Sequence, residues 1–269
     1  MSARVFLFLC RFAPIKKLLW RWWYEFLAGL HRTGDWSFMN YGYAAIPADP
    51  IVLDSADEAN RYSVQLYHTV VNGVNLESRR VLEVGSGRGG GAAYIKRYQK
   101  PAAMVGVDFS AKAIALCNEL YHIDGLSFVQ GDAEDLPFDD GAFDVVINVE
   151  SSHCYGSVDA FLAQVRRVLR PGGYFLYADF RDQEKLAAWR QQIGNSGLMP
   201  VSETDITANV VAALDADDER KTRLIHQLVP RPLLGAFKDF SGVKGSAIYK
   251  EFQTGVTLYL RFVLQKPGS

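Results

Sequence analysis

The chain has 269 residues, 49% of them hydrophobic, which is enough for one large domain or one domain with a lid. Its net charge of −1 argues against a general nucleic-acid binder, because such proteins usually carry an excess of basic residues. The three cysteines, Cys10, Cys117 and Cys154, have neither metal-ligand spacing nor the pattern of a disulfide framework, so we expect a reducing, cytoplasmic setting.

The N-terminal segment combines aromatic and basic residues. Arg11 ends an apolar run over residues 5–10, which is far too short to span a membrane. Residues 12–30 mix lysine and arginine with tryptophan, tyrosine and phenylalanine. This pattern predicts one or two helices, broken near Pro14, that either pack on the domain as a lid or contact a membrane surface.

The residues that follow continue this N-terminal unit. Residues 35–50 are predicted to form an ordered loop, and residues 56–74 have apolar positions at helical spacing. Gly73 fits the end of that helix. We therefore assign residues 1–74 to a helical, aromatic lid.

A short apolar strand over residues 81–84 runs directly into a glycine-rich loop and then into a helix that begins near residue 91. Gly85 and Gly87 allow a tight turn and a close approach of the backbone to a ligand. The helix N-terminus offers free N–H groups. This outline suits a dinucleotide pyrophosphate or S-adenosylmethionine (SAM), and also a tight turn with no ligand.

Strands and helices alternate after this loop. Further strands are predicted at residues 104–107, 126–130, 144–149 and 174–178, and helices at 110–121, with Ser110 as N-cap, and at 158–169. This alternation predicts an α/β fold with a parallel, doubly wound sheet whose strand carboxyl ends meet at one edge.

The C-terminal part is predicted to complete the same sheet. Residues 182–240 are expected to be largely helical, with the acid-rich residues 215–219 in a solvated turn. Residues 243–247 and 256–264 are predicted to be two further strands.

Acidic residues follow two of the predicted strands. Asp108 could accept hydrogen bonds from a ribose diol, or it could cap the next helix. Asp132 could accept from an adenine amino group while the backbone of Ala133 meets the ring edge, or both could belong to an Asp-rich turn.

Five ordered motifs give this chain a resemblance to class I SAM-dependent methyltransferases. They are EVGSGRG at 83–89, VD at 107–108, GDAEDLPF at 131–138, FD at 143–144 and LRPGG at 169–173. A dehydrogenase reading would also accept the spacing of Gly85, Gly87 and Gly90, but the motifs at 131–138 and 169–173 favour the methyltransferase. The resemblance implies a Rossmann-like, seven-stranded, mostly parallel sheet. It divides the chain into a SAM-binding core at 75–180 and, at 181–269, a helical insertion with closing antiparallel strands of the same domain.

Shorter motifs narrow the resemblance. MNYGY at 39–43 resembles the aromatic entry motif of sugar and natural-product O-methyltransferases. DEANR at 57–61, LYH at 66–68 and NVESSHCY at 148–155 resemble phthiotriolone and phenolphthiotriolone dimycocerosate methyltransferases. The implied substrate is the hydroxyl of an apolar, lipid-like or polyketide-like metabolite.

The resemblance also implies a set of cofactor-binding residues. Glu83, Gly85 and Gly87 would hold the methionine end of SAM, and Tyr41 would approach its carboxylate; a core tyrosine is the alternative there. The remaining predicted contacts are Asp108 to the ribose, Phe109 flanking the adenine, Asp132 and Ala133 at the adenine edge, and Ser86 and Val149 completing the site.

His153 and Asp179 are the predicted catalytic pair. His153 follows the strand at 144–149, and Asp179 follows the strand at 174–178, so neighbouring strand ends would bring them together. The histidine would act as general base toward a hydroxyl, and the aspartate would orient it. Glu150 and His68 are the alternative bases. No metal site is predicted.

Other functions remain open on the sequence alone. They are a SAM-bound cyclase or isomerase, a C- or N-methyltransferase, and a membrane-associated binding module that uses residues 1–30. We expect a monomer or a homodimer, with no nucleic-acid partner.

Overall fold

The computed structural model describes residues 36–47 and 51–268. The helices, the break near Pro14 and the lid or membrane contact predicted for residues 1–30 lie outside these described residues. Within residues 36–47 and 51–268, no helix has both the length and the apolar character needed to cross a bilayer.

The fold is built on one seven-stranded sheet. Its strands are β1 (Arg80–Val84), β2 (Ala103–Asp108), β3 (Leu126–Gln130), β4 (Phe143–Val149), β5 (Leu169–Asp182), β6 (Met199–Asp205) and β7 (Thr257–Gln265). The strand order is β3-β2-β1-β4-β5-β7-β6. Strands β1 to β5 pair in parallel, whereas β7 is antiparallel to β5 and β6. The predicted Rossmann-like, mostly parallel α/β sheet is confirmed, and its strand order reverses between β1 and β4, where such sheets bind ligands.

Helices pack on both faces of the sheet. They are α1 (Arg61–Val71), α2 (Gly90–Tyr98), α3 (Ala111–Leu120), α4 (Val158–Val168), α5 (Leu186–Asn195), α6 (Thr207–Leu228), α7 (Leu234–Ser241) and α8 (Ala247–Thr254). Helix α3 begins as predicted, because the Ser110 hydroxyl accepts a hydrogen bond from the Ala113 N–H at 3.1 Å.

The core lies on both sides of β1. Val81 belongs to the hydrophobic cluster that includes α1 and α2, whereas Leu82 belongs to the cluster that includes α4 and α5. Successive side chains of a strand point to opposite faces, so both are fully buried. This burial on two faces explains the continuous apolar run that precedes the glycine loop.

Three predictions for the C-terminal part were wrong, and two of them concern the closing strands. The strand that completes the sheet beside β7 is β6, in a region predicted to be helical, and residues 243–246 form a turn that leads into α8. Strand β6 lies at the sheet edge and is exposed at six of its seven residues, so it lacks the apolar alternation that identifies a strand. Val243 is buried by α6 and α7 side chains, which explains its apolar character without a strand.

The acid-rich residues 215–219 do not form a solvated turn. They lie within α6, and Asp217 is only 5% exposed because its carboxylate pairs with Arg220, three residues later on the same helix, at 2.6 Å. Strand β5 is also longer than predicted, because it begins directly after α4 at Leu169 and includes the Pro-Gly-Gly motif.

Candidate active site

The glycine loop after β1 is tied to β2. The N–H groups of Gly85 and Ser86 donate to the Val107 carbonyl oxygen at 2.8 and 3.0 Å. Gly85 has φ +78°, and a Cβ there would lie 2.3 Å from the Ser151 hydroxyl. A side chain at this position would therefore clash and strain the backbone, so the sequence needs glycine where β1 meets the end of β4.

Asp108 lies at the carboxyl end of β2 and faces the same loop. One carboxylate oxygen accepts a hydrogen bond from the Gly87 N–H at 2.9 Å, and the other accepts from the Ser110 N–H at 2.9 Å. An ionised carboxylate can accept several hydrogen bonds at once. Asp108 can therefore be held by the backbone and still accept from a ribose diol.

A cavity opens between the glycine loop, the strand ends and residues 37–40. It encloses about 1070 Å³, its open mouth included. Its lining combines apolar side chains with a few polar groups that face the same space, as small-molecule sites do. The predicted residues that line it are Gly85, Ser86, Gly87, Asp108, Phe109, Asp132, Ala133 and Val149.

The lining fits a polar adenosyl ligand. The Ser86 hydroxyl is buried and makes no hydrogen bond within the described part of the chain. A Cβ on Gly87 would meet only the Met39 sulfur, at 3.9 Å, so the loop faces open space. Across the cavity from the glycine loop, the Asp132 carboxylate accepts from the Glu134 N–H at 3.0 Å. The Asp-rich turn, which was the alternative to an adenine contact, is therefore present, and its residues also line the cavity.

Glu83 lies behind the loop, fully buried, and does not contribute to the lining of the cavity among the described residues. The Tyr67 hydroxyl donates to its carboxyl group at 2.6 Å. Burial raises the pKa of Glu83 to about 8, and the hydrogen bond from Tyr67 opposes that rise. Tyr67 itself lines the cavity, and sequence reasoning missed it because its spacing on α1 marks only an apolar helix face.

The structure brings His153 and Asp179 together. The Nδ1 atom of the His153 ring lies 2.8 Å from one Asp179 carboxylate oxygen, and the backbone N–H of His153 donates to the other oxygen at 3.0 Å. Ser152 and Arg181, which the sequence did not single out, also contact this carboxylate, at 2.6 and 3.2 Å. The imidazole packs on Phe180 with 4.4 Å between ring centroids.

These contacts determine the charges of the pair. Burial raises the pKa of Asp179, but Arg181 and His153 together hold it well below its usual range. Burial lowers the pKa of His153, but Cys154 and the Asp179 carboxylate raise it to about 10. The imidazole is therefore protonated at neutral pH before a substrate arrives.

The catalytic pair borders the cavity rather than forming its wall. Among the described residues, the lining includes Cys154 and Ser151 but neither His153 nor Asp179. The His153 side chain is 17% exposed, whereas that of Asp179 is fully buried. Asp179 can thus act on a substrate only through the histidine.

The two alternative bases have different surroundings. Glu150 lines the cavity, and its carboxylate accepts from the Tyr41 N–H at 2.8 Å and from the Tyr259 hydroxyl at 2.9 Å. Burial raises the pKa of Glu150 to about 7. His68 instead lies beside Tyr94, with 2.9 Å between its Nδ1 and the tyrosine hydroxyl, and is not part of the described lining.

The Tyr41 side chain lies outside the lining of the first cavity. Its ring packs between Phe180 and Phe252, with centroid distances of 5.5 and 5.4 Å, and lines a second cavity instead of the first. Only its backbone N–H reaches the first cavity's wall, through Glu150. Contact of its side chain with the methionine carboxylate is a prediction that this geometry does not favour.

Metal-binding clusters are not found among the described residues: no three His, Cys, Asp or Glu side chains could hold an ion. The two cysteines in this part of the chain, Cys117 and Cys154, are buried and form no disulfide among the described residues.

Comparisons with known proteins agree with this geometry. Residues 82–177 match the family described as "Methyltransferase domain". The chain is 39% identical over 250 residues to the phthiotriol/phenolphthiotriol dimycocerosates methyltransferase of Mycobacterium leprae (strain TN), covering 93% of each chain. It is 39% identical over 245 residues to the fatty-acid O-methyltransferase of Mycolicibacterium smegmatis, covering 91% of this chain and 89% of the relative.

Solved structures share the fold at low sequence identity. The [4+2]-cyclase SpnF matches with a TM-score of 0.70 and 19% identity, covering 93% of this chain and 95% of that one. Geranyl diphosphate C-methyltransferase from Streptomyces coelicolor A3(2), solved with S-adenosyl-L-homocysteine, matches with a TM-score of 0.68 and 15% identity, covering 93% and 97%. The long curated matches, together with the glycine loop and its cavity, show that the chain belongs to the SAM-dependent methyltransferases.

Proposed function

We propose that this protein is an O-methyltransferase that methylates a hydroxyl group of a lipid-like acceptor, with His153 as general base and Asp179 as its orienting partner. The observation that carries the proposal is the 2.8 Å contact between His153 and Asp179 beside the cavity. The names of the mycobacterial relatives, which refer to phthiotriol lipids and a fatty acid, support a long apolar acceptor.

The cofactor residues follow from the lining of the cavity. We infer that Asp108 accepts from the ribose, that Phe109, Asp132 and Ala133 surround the adenine, and that Val149 packs beside it. Gly85, Ser86 and Gly87 hold the methionine end, with Glu83 behind them. Bound SAM would supply a methyl group on a positively charged sulfur. An aligned acceptor oxygen could bond to the methyl carbon while the carbon–sulfur bond breaks and S-adenosyl-L-homocysteine leaves.

His153 must lose a proton before it can accept one from a hydroxyl. Because its pKa is raised to about 10, only a small fraction of the imidazole is neutral at pH 7. The rate with a hydroxyl acceptor should therefore rise with pH until His153 is deprotonated. Arg181, on the other side of Asp179, keeps that carboxylate charged throughout this range.

A carboxyl group is the second candidate acceptor, and the charge of His153 favours it. A carboxylate is already ionised at neutral pH and needs no general base. A protonated imidazole at the border of the cavity would attract it. The name of one relative, fatty-acid O-methyltransferase, supports a fatty acid as the carboxyl acceptor to test.

A pH–rate comparison tests both candidates. S-adenosyl-L-homocysteine formation is measured with a fatty alcohol and with the fatty acid of equal chain length. A rate that rises toward pH 10 with the alcohol supports the hydroxyl acceptor, whereas a rate that is flat and then falls with the acid supports the carboxyl acceptor. His153→Ala should lower turnover and leave SAM affinity, measured by calorimetry, unchanged.

Other outcomes of this comparison would count against the proposal. Full activity of His153→Ala toward the alcohol would remove the histidine as base. Absence of S-adenosyl-L-homocysteine with every oxygen acceptor would favour the cyclase, isomerase, C-methyl or N-methyl alternatives.

A further inference from the structure

A second cavity lies beside the cofactor cavity. It encloses about 650 Å³, its mouth included. Its wall is formed by α6, α7 and the segment Trp36 to Tyr41, which we call the strap. The cavity and the cofactor cavity share three strap residues, namely Phe38, Met39 and Asn40. The two spaces are therefore separated by a single stretch of chain.

The wall of this second cavity is mostly apolar. Ile225, Val229 and Phe237 form a hydrophobic cluster that is separate from the two clusters flanking the sheet. Trp36 packs on Phe237 with 6.0 Å between ring centroids. Leu224 completes this apolar lining on α6. Ile225, Val229 and Phe237 are already buried, so the apolar surface that an occupant would cover belongs to the half-buried Leu224 and Phe240.

The charged residues in the wall already have partners. The Lys221 ammonium donates to the Tyr41 carbonyl oxygen at 3.0 Å. Arg220 makes two hydrogen bonds of 2.6 Å to Asp217. If an apolar chain enters the cavity, Arg220 and Lys221 can therefore keep these hydrogen-bond partners.

One polar atom at the shared wall has no partner. Asn40 is 9% exposed and its amide nitrogen donates to the Ser63 carbonyl oxygen at 3.3 Å, but its Oδ1 is buried without a hydrogen bond within the described residues. A buried acceptor of this kind is costly unless a donor reaches it. The shared wall thus offers one acceptor oxygen beside Phe38 and Met39, and the wall beyond it combines an apolar patch on α6 and α7 with several polar side chains.

We propose that the second cavity holds the apolar chain of the acceptor, with the acceptor's polar head at Asn40, next to the cofactor cavity. This inference rests on the proposed function and names the acceptor class: an amphipathic molecule with a long hydrocarbon chain. Phe38, Met39 and Asn40 belong to both walls, so the head and the chain of such a molecule would contact the same three residues.

Displacement of a fluorescent fatty alcohol, cis-parinaryl alcohol, by saturated fatty alcohols of increasing length tests the proposal in the full chain, because a hydroxyl head can donate to Asn40 Oδ1. Each added methylene should tighten displacement by about fourfold until the cavity is filled. Leu224→Trp, which fills the cavity, should weaken binding of the long alcohols at least tenfold and shift the preferred length to shorter chains. SAM affinity should not change.

His226→Trp is the matched control, because His226 is exposed on the same helix. A second variant, Phe240→Ala, enlarges the cavity and should extend the preferred length, so the proposal does not depend on one substitution. Equal chain-length profiles for Leu224→Trp and the wild type, or no displacement by any fatty alcohol, would overturn it.

Failure of the proposed reaction is distinguishable from failure of this inference. Chain binding that Leu224→Trp alters, without any S-adenosyl-L-homocysteine formation, would contradict the reaction and leave the cavity assignment standing. Methyl transfer with no dependence on chain length would contradict only the cavity assignment.

Discussion

Asp108 links the glycine loop, the start of α3 and the cofactor cavity through one carboxylate. Asp108→Ala removes two hydrogen bonds to backbone N–H groups and the proposed ribose contact. Hydrogen bonds to charged groups contribute about 1.5–3 kcal/mol each, so we expect SAM affinity to fall at least tenfold in calorimetry. Asp139→Asn, at an exposed position, is the control. Unchanged affinity of Asp108→Ala would remove the ribose assignment.

The charge of Asp179 should control the titration of His153. Asp179→Asn keeps the size of the side chain but removes a negative charge that, together with Cys154, raises the pKa of His153 above 6.5. The midpoint of the pH–rate profile with a hydroxyl acceptor should therefore move to lower pH. Circular dichroism must show that the variant is folded, since the position is fully buried. A midpoint that stays near pH 10 would show that Asp179 does not set the protonation of the base.

At the residue level, sequence predicted the groups that follow strands more successfully than the groups that approach from elsewhere. Asp108 lines the cavity and His153 contacts Asp179, because parallel strands align their carboxyl ends. Tyr67 and Asn40 were missed, because α1 and the strap reach the site only through tertiary packing. Each residue lies in a short motif, LYH at 66–68 or MNYGY at 39–43, but neither motif indicates which of its side chains lines the cavity.

The strap is held at Tyr41 by two oppositely charged side chains. Glu150 accepts from the Tyr41 N–H, and Lys221 donates to the Tyr41 carbonyl oxygen. Burial raises the pKa of Glu150 to about 7 from 4.5, so its effect on stability is most favourable below pH 4.5 and is lost as the pH rises through 7.

Glu150→Gln should therefore make stability less dependent on pH. Glutamine keeps an oxygen acceptor for the Tyr41 N–H but cannot ionise. We expect the difference in melting temperature, variant minus wild type, to be larger at pH 8 than at pH 5. Glu77→Gln, at an exposed position, controls for a general charge effect. An identical difference from the wild type at both pH values would show that Glu150 is not the titrating group.

Elements with a clear burial pattern were predictable, and elements without one were not. The parallel strands β1 to β4 lie close to their predicted bounds. Strand β6 carries mostly exposed side chains, and α6 carries a run of acids, so local composition pointed away from the actual structure in both cases. Their positions follow from pairing with β7 and from the partner that α6 supplies to Asp217.

The whole molecule combines a fold that the sequence specifies strongly with an acceptor side that it specifies weakly. The ordered motifs sufficed for the sheet and the cofactor class. Domain bounds at residues 75 and 181, oligomeric state and membrane contact stay predictions, because they depend on surfaces and on residues 1–35, which the structure does not describe.

Deletion of residues 1–35 tests the role of that segment. If it serves as a lid, the deletion should lower methyl transfer to an apolar acceptor and leave liposome flotation unchanged. If it serves as a membrane contact, flotation should be lost instead. Retention of both properties would contradict both roles.

The outermost strand has a consequence for solubility. Pro200 in β6 has no N–H to donate, and the register with β7 shifts between Pro200 and Ser202. An irregular edge with a proline is a poor template for adding a strand from another molecule. This irregularity should therefore help to prevent neighbouring molecules from joining edge to edge into fibrils.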